Sequence, residues 1–498
     1  MAAPKIIPAK CPTCGANLPV SPGMFQVTCR YCGNVIHIEH RKPPPNVQPF
    51  GMPGGMPSTT LYVDPRAAAR AGKNVGCMIA IGVLVPILIP FFIGVGPWAL
   101  RSCKAKIKPF PASCGSNEAL ELSGDYESTG PIVTSVGHNC KLHIKNAKLK
   151  GSSFIKTTSS NLELTLENVT IETTDTMVKT GSNMKAKIHK STMTSAGVVF
   201  DVQTNLALQE VEGSTIESKS AVAIKTDNNL KMNLENTKIR GKKGALDTDS
   251  GLELKMRGAS EVVSSDGVAI KTSSGFKLEA EGGKIDGAAG GILSESGLNI
   301  TASGLTIAGK ETALQTTSGF KGAFTDSSIT SVTGSAIEGT SGMDLALANT
   351  KINGATTALT TESSLKLKAT KKTHIVAASG IGIVTTSSCD VNLMDASLEG
   401  ATKAFKGTVN DKIRLSQGAR VAGKKGGIEV EGNAEIDATG ATIEGGAAPG
   451  IFLNGYSGKV SLKQGVLKGT PAIEAKNKPS QLELDGTRIE GDKKIPSR

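Results

Sequence analysis

From about residue 139 onward, apolar and polar positions alternate in short runs that return at a nearly constant interval. The stretches "NLELTLENVTI" (161–171) and "NLKMNLENTKI" (229–239) place Leu, Met or Ile at every second position. A period of two puts those side chains on one face of an extended strand and the polar ones on the other. The segment starts are Asn161, Asn183, Asn205, Asn229, Gly251, Gly275, Gly297, Gly319, Gly342 and Ser364, spaced 22 to 24 residues apart. A fixed period in this range is the signature of a solenoid, in which each repeat buries its apolar face on its neighbours.

Two further strands are predicted in each repeat. One ends in an Ile beside a Gly, as in "TKIRG", "GKIDG", "TKING", "ATIEG" and "TRIEG". The other carries an apolar pair two residues before Thr or Ser, as in "FIKT", "AIKT", "ALDT", "ALQT" and "ALTT". Three strands and three turns in about 22 residues make one rung of a parallel β-helix, and no segment has helical spacing. The starting Asn or Gly tolerates positive φ, so a tight bend is expected there. Thr157, Thr180, Thr204, Thr226, Thr248, Thr272, Ser294 and Thr316 close the third strand and predict an inward hydroxyl ladder bonded from rung to rung. About fifteen rungs at ~4.8 Å give a rod of roughly 70 Å. Residues 101–138 are the expected juxtamembrane segment and cap, and 139–498 the β-helix. Lys493, Lys494 and Pro496 discourage pairing at the last edge.

The chain has 498 residues, more than one ordinary core accommodates, and the segment before the array is of another kind. Residues 1–40 contain two C-x2-C pairs, Cys11/Cys14 and Cys29/Cys32, 14 residues apart. Four thiolates on two tight turns supply a closed tetrahedral Zn2+ site, which is structural rather than catalytic. Leu18, Val20, Phe25 and Val27 read as two short strands around "SPG". Residues 9–38 resemble small zinc ribbons with this cysteine register. His37 and His40 lie just outside and read as solvated. Residues 41–74, rich in Pro and Gly, form a flexible linker. Residues 75–100 carry no charge, enough to cross a bilayer as one helix, with Pro86 and Pro90 as kinks and Trp98 at the interface.

Charge sharpens this division. The net +12 splits into +6 over residues 1–75, +3 over 101–120 and +3 over 121–498. Basic flanks of a membrane segment account for that bias more simply than nucleic-acid binding does. Those flanks are balanced, so orientation falls to cysteine chemistry. A thiolate zinc site suits a reducing cytosol, and Cys103 with Cys114 suits a disulfide in an oxidising space. The ribbon is therefore expected inside and the β-helix on the periplasmic or extracellular side. Labelling of Cys389 in intact cells is the measurement that tests this expectation.

By rung length the array resembles the right-handed parallel β-helices of the pectate-lyase-like class. A leucine-rich-repeat horseshoe is the alternative, but the Gly/Thr-rich half of each rung has no helix to match it. The resemblance implies polysaccharide chemistry only where a catalytic cluster exists. Hydrolases of that class use grouped aspartates with Gly-His-Gly and Arg-x-Lys; the lyases use acidic calcium ligands with an Arg or Lys base. This chain has no Asp-Asp, Gly-His-Gly or Arg-Ile-Lys, and His138, His143, His189 and His374 are separated along the array. Aromatics are only 3 %, a poor supply for sugar or base stacking. Asp227 and Asp249, near Asp247, are the one stacked acidic group, read as a solvated turn before a cation site. Lys156, Lys179, Lys225 and Lys271, interrupted by Gln203 and Asp247, form a partial column facing outward that suits an anionic polymer such as surface polysaccharide.

The resulting expectation is a membrane-anchored, non-enzymatic protein of the cell envelope. Its ribbon meets a cytosolic protein and its β-helix serves as scaffold or adhesion surface. The alternatives are a polysaccharide-active enzyme, which a stacked Asp/Arg/Lys group in a groove would favour, and a cytosolic scaffold tethered to the membrane.

Overall fold

The computed structural model describes residues 7–10, 17–20, 26–28, 35–37, 107–108, 110–455 and 458–497. It divides into two compact units, Met1–Gly96 and Pro97–Arg498. In the first, Ile7–Lys10 pairs antiparallel with Asn17–Val20, and Gln26–Thr28 with Val35–His37. Leu18, Val20 and Val27 lie on strands as expected, but on two separate hairpins. Each hairpin is closed by a segment holding one C-x2-C pair, rather than by Ser21-Pro22-Gly23. Cys11, Cys14, Cys29 and Cys32 themselves, the linker and residues 75–100 lie outside the described residues. No helix among the described residues is long and apolar enough to cross a membrane.

The second unit is a mostly-β parallel solenoid. One column of paired residues runs Ala119, Lys141, Glu163, Lys185, Ala207, Lys231, Glu253, Lys277, Asn299, Lys321, Asp344, Lys366, Asp390, Lys412, Glu435, Lys459 and Gln481, which makes 17 turns. At ~4.8 Å per turn the stack is about 80 Å long, somewhat more than the spacing of the repeats predicts. The difference lies at the N-terminal end. Ala119–Ser123 already pairs with Lys141–Gly151, so part of the expected cap is itself a rung. Phe110 stacks on Tyr126 over that end, and Cys114 is disulfide-bonded to Cys140. The expected partner of Cys114 was Cys103, which lies outside the described residues.

Alternation does what the period predicts. In Gly244–Arg257, Leu252, Leu254 and Met256 are buried while Glu253, Lys255 and Arg257 face water. Burying each such Leu or Met contributes about 1.5–3 kcal/mol, and no rung finishes its core without the next. The bends are where the Asn and Gly starts put them: Asn161, Asn183, Asn205 and Asn229 have φ of 58° to 62°, and Gly251, Gly275, Gly297, Gly319 and Gly342 of 64° to 69°. The exposed asparagines also bond to one another along the axis, Asn229 Nδ2 donating to Asn205 Oδ1 at 2.8 Å and Asn205 Nδ2 to Asn183 Oδ1 at 2.8 Å.

Turn chemistry sets the small variations in rung length. After the second strand, Gly354 meets a backbone so close that a Cβ would lie 1.7 Å from the Thr357 carbonyl oxygen. Where Ser stands instead, as at Ser264, its hydroxyl accepts a hydrogen bond from the Gly267 amide at 3.0 Å and the turn holds one residue more. The two solutions give shorter and longer rungs without disturbing the stack.

Candidate functional site

A hollow of about 640 Å3 lies over the second strands Ser397–Gly400, Arg420–Gly423 and Thr442–Glu444. In register, Glu399, Ala422 and Glu444 share one outward column. The small Ala422 leaves the middle of that column open. Arg420, one column over, reaches into the gap and holds both carboxylates, Nη1 to Glu399 Oε1 at 2.6 Å and Nη2 to Glu444 Oε2 at 2.8 Å. Lengthened turns at Gly423–Gly427 and Glu444–Gly450, joined by a bridge between Lys425 and Gly446, stand beside it. Lys424 and Lys468 complete the charged lining.

This is the stacked acid/arginine group in a groove that the sequence alone did not resolve. Two carboxylates two rungs apart stand ~9.6 Å apart in backbone terms, near the upper end of the separation used by inverting glycosidases. The guanidinium occupies the space between them, and both carboxylates accept its protons. A general acid needs a carboxyl that keeps its own proton, which an arginine neighbour opposes. As built, the group is an ion-paired bridge with room for a polar ligand above it.

The other predicted residues are placed as follows. Asp227, Asp247 and Asp249 do line one hollow of about 250 Å3, with Glu295, Lys225 and Lys271. Asp227 and Asp249 fall on adjacent rungs as expected, while Asp247 stands in its own column between Lys225 and Lys271. Among the described residues no group of His, Cys, Asp and Glu is arranged to hold a metal ion. The lysine column differs from expectation at one rung. Asp201, not Gln203, stands between Lys179 and Lys225, and pairs with Lys179 at 3.3 Å. From Lys179 to Lys271 the column alternates in sign, three lysines with two aspartates, rather than presenting a run of lysines. The hydroxyl ladder has a matching correction: Val202 replaces Thr204 in the inward column. Its hydroxyls bond mainly within their own rung, Thr248 Oγ1 donating to the Ser250 carbonyl and Thr272 Oγ1 to that of Ser274, each at 3.4 Å. One register slip explains both changes. The apolar pair "VF" precedes Asp201, where the frame "x-apolar-Lys-Thr" had been aligned one dipeptide later.

His143 and His189 prove to be only two rungs apart on one face. His143 Nε2 lies 3.0 Å from Glu167, and His189 lies 3.6 Å from Glu210 and 3.5 Å from Glu212. A register shift between Leu208 and Val211 brings Glu210 there. His374 Nδ1 is bonded instead to Ser397 at 2.7 Å.

The sequence reading missed one buried group. Asp411 is 1 % exposed, accepts a hydrogen bond from Thr385 Oγ1 at 3.3 Å, and neighbours Cys389. Its Oδ2 has no hydrogen-bond partner. Burial pushes the Asp411 carboxyl above its ordinary range, and burial followed by that carboxyl pushes the Cys389 thiol up. The signal was present in "NDKIRL": Asp411 stands where "NLKMNL" has an inward Leu.

No protein-family model, curated protein or solved structure matches the chain, so the sites rest on its own residues and geometry.

Proposed function

We propose that the chain is a single-pass membrane protein carrying a zinc ribbon (1–40) in the cytosol and a solenoid on the outer side. The solenoid acts without catalysis, as an envelope scaffold or adhesion surface. The observation that carries this reading is the contrast between two cysteine chemistries on either side of the uncharged run 75–100. Before it stand four thiols at metal-ligand spacing, which need a reducing space; after it stands the Cys114–Cys140 disulfide, which needs an oxidising one. The disulfide also argues against the cytosolic tethered scaffold. In this reading Cys11, Cys14, Cys29 and Cys32 bind one Zn2+, the ribbon contacts a cytosolic protein, and the bilayer holds the run 75–100. The outer faces meet other envelope components, surface polysaccharide among them. The winding is right-handed, as in the pectate-lyase-like helices whose rung length it shares.

The test is topological. Cys389 is 3 % exposed and so cannot serve as the reporter. Val332 is 69 % exposed on a turn and can. In intact cells, Val332→Cys in a Cys103→Ser background is expected to react with a membrane-impermeant maleimide while the Cys103→Ser parent does not. Labelling only after permeabilisation, with Cys114 and Cys140 recovered as free thiols, would place the solenoid in the cytosol.

One observation favours the enzymatic alternative, the Glu399–Arg420–Glu444 group in its hollow. A polysaccharide hydrolase built on it loses activity with either Glu399→Gln or Glu444→Gln. The scaffold reading expects no release of reducing ends by wild type to begin with.

A further inference from the structure

The axial column that counts the rungs also carries charge in a regular order. From Lys231 to Lys459 it reads Lys231, Glu253, Lys277, Asn299, Lys321, Asp344, Lys366, Asp390, Lys412, Glu435, Lys459. Along most of this face the alternation is consumed within the chain. Lys141 pairs with Glu163 and Lys231 with Glu253, each at 2.8 Å, Lys412 with Glu435 at 3.6 Å, and Arg414 with Asp390 at 2.6 Å. Between residues 287 and 389, by contrast, no ion pair joins described residues, although Lys321, Asp344 and Lys366 are successive neighbours. The residues beside them are small: Thr301, Ala323 and Ala346 in the next column, then Ser303, Thr325 and Ala348. Ala323 and Ala346 are exposed. Composition follows the same line, with 19 charged residues in 231–290 and 7 in 291–350. The middle of this sheet is therefore a level surface whose few charges have no partner in their own chain.

We propose that this face, centred between the rungs of Lys321 and Asp344, is the contact between two copies of the chain packed side by side with their axes antiparallel. The reason is self-complementarity. A two-fold axis along the strand direction, midway between those rungs, keeps each column facing itself and reverses the order of rungs. Lys321 then faces Asp344 of the second copy. Moving outward, Asn299 meets Lys366, Lys277 meets Asp390, Glu253 meets Lys412, and Lys231 meets Glu435. None of these positions sets like charges opposite each other. Ala323 faces Ala346, and Thr325 faces Ala348, so the two sheets approach closely at the centre. In the next column Lys255 faces Arg414, but each already holds a carboxylate of its own chain, Glu279 at 2.8 Å and Asp390 at 2.6 Å. The eight rungs from Glu253 to Lys412 span about 38 Å. With a strand face ~20 Å wide they bury about 800 Å2 on each copy, the size of an ordinary specific interface. With parallel axes the columns are exchanged instead of the rungs, and a two-fold lying on this column would set Lys321 against Lys321.

The experiment uses the full-length chain purified in detergent, with sedimentation velocity over a concentration series. Wild type is expected to dimerise reversibly. Lys321→Asp and Asp344→Lys each place two like-charged contacts at the centre, and each is expected to raise the dissociation constant about tenfold or more. The double variant K321D/D344K recreates both contacts with exchanged signs and is expected to return to within about threefold of wild type. As a second measurement, chains carrying Ala323→Cys are mixed with chains carrying Ala346→Cys and oxidised. A cross-linked dimer is expected from the mixture in excess over either variant alone. A wild-type chain that stays monomeric overturns the proposal. So does a dimer whose affinity is unmoved by the single variants, or one not restored by the double. None of these outcomes depends on which side of the membrane the solenoid occupies.

Discussion

Two stretches of the solenoid turn the same corner in different ways. In one, the third strand and the following first strand are a single bent strand of 14 residues, as in Val222–Glu235, Gly244–Arg257, Val268–Glu281 and Thr312–Thr325. In the other, they separate: Ile381–Thr385 is followed by Cys389–Met394, and Phe405–Gly407 by Asp411–Ser416. The inward residue just past the corner changes in step. It is Leu230, Leu252, Phe276, Leu298, Phe320, Met343 and Leu365 on the continuous rungs, then Cys389, Asp411, Ala434 and Gly458 on the open ones. From Leu230 to Leu365 a large side chain fills the corner and the backbone passes over it in one bend, whereas at Leu162 the corner is open despite the leucine. After Leu365, where the corner side chain shrinks, a short loop takes the corner. Across these two stretches core volume and backbone course change together, within dense packing.

The strongest way to break this contrast is to empty the corner of a continuous rung. Phe320 and Phe324 fill it so fully that a Cβ on Gly322 would lie 3.0 Å and 2.7 Å from their rings. Phe320→Ala is expected to cost about 3–5 kcal/mol. Cys389→Ala, at the equivalent place on an open rung, removes one atom and is expected to cost about 1 kcal/mol. Guanidinium unfolding of the two variants checks the ratio. Equal losses would mean that the corner residue is not what holds the continuous form.

A smaller effect separates the two stretches by pH. Glu279, on a continuous rung, is held down to about 2 by hydrogen bonds from Lys255 and then Lys277. A depressed carboxyl contributes stability that is present above its unfolded value and is lost as pH falls through the folded one, here from about 4.5 toward 2. Asp411 is shifted the other way by burial. A raised carboxyl contributes stability that is complete below its unfolded value, near 3.8, and is lost as pH rises through the folded one. Acid therefore weakens the first stretch and base the second. Thermal unfolding of wild type against Asp411→Asn is expected to show a melting-temperature difference that moves in favour of Asn as pH rises from about 4 and then levels off. A difference independent of pH would mean that Asp411 keeps one protonation state throughout.

Much of this molecule is readable from its spacing alone, because a parallel stack repeats one set of constraints. Period two fixed which residues are buried, and Asn or Gly at each start fixed the sign of φ; Leu252, Asn229 and Gly297 behave as those rules require. What escaped depends on neighbours in adjacent rungs. Asp201 displaces Gln203 because pairing obeys the cross-strand register rather than the count from the nearest Thr. Arg420 bridges Glu399 and Glu444 from a different column, across an alanine, a diagonal that a one-dimensional alignment does not display. Asp411 is polar in a column of apolar residues, so the alternation rule sees it as a lapse while the structure gives it Thr385. Cys114 finds Cys140 because their rungs adjoin, a nearness that sequence separation hides.

The smallest expected effect concerns the bend itself. Gly297 has φ of 66°, and a Cβ there would meet the Gly275 amide nitrogen at 3.3 Å. Asn229 occupies the same bend at 58°. Gly297→Asn is therefore expected to change stability by no more than about 0.5 kcal/mol, since Asn tolerates this conformation and the contact yields by a small shift. Gly297→Val brings the same Cβ but a branched side chain that resists positive φ, and is expected to cost about 1–2 kcal/mol. The pair separates conformation from space. If Asn and Val lose equally, the 3.3 Å contact with the neighbouring rung decides the residue. If only Val loses, the bend decides it, and the change from Asn to Gly along the continuous rungs is a free choice between two residues that fit.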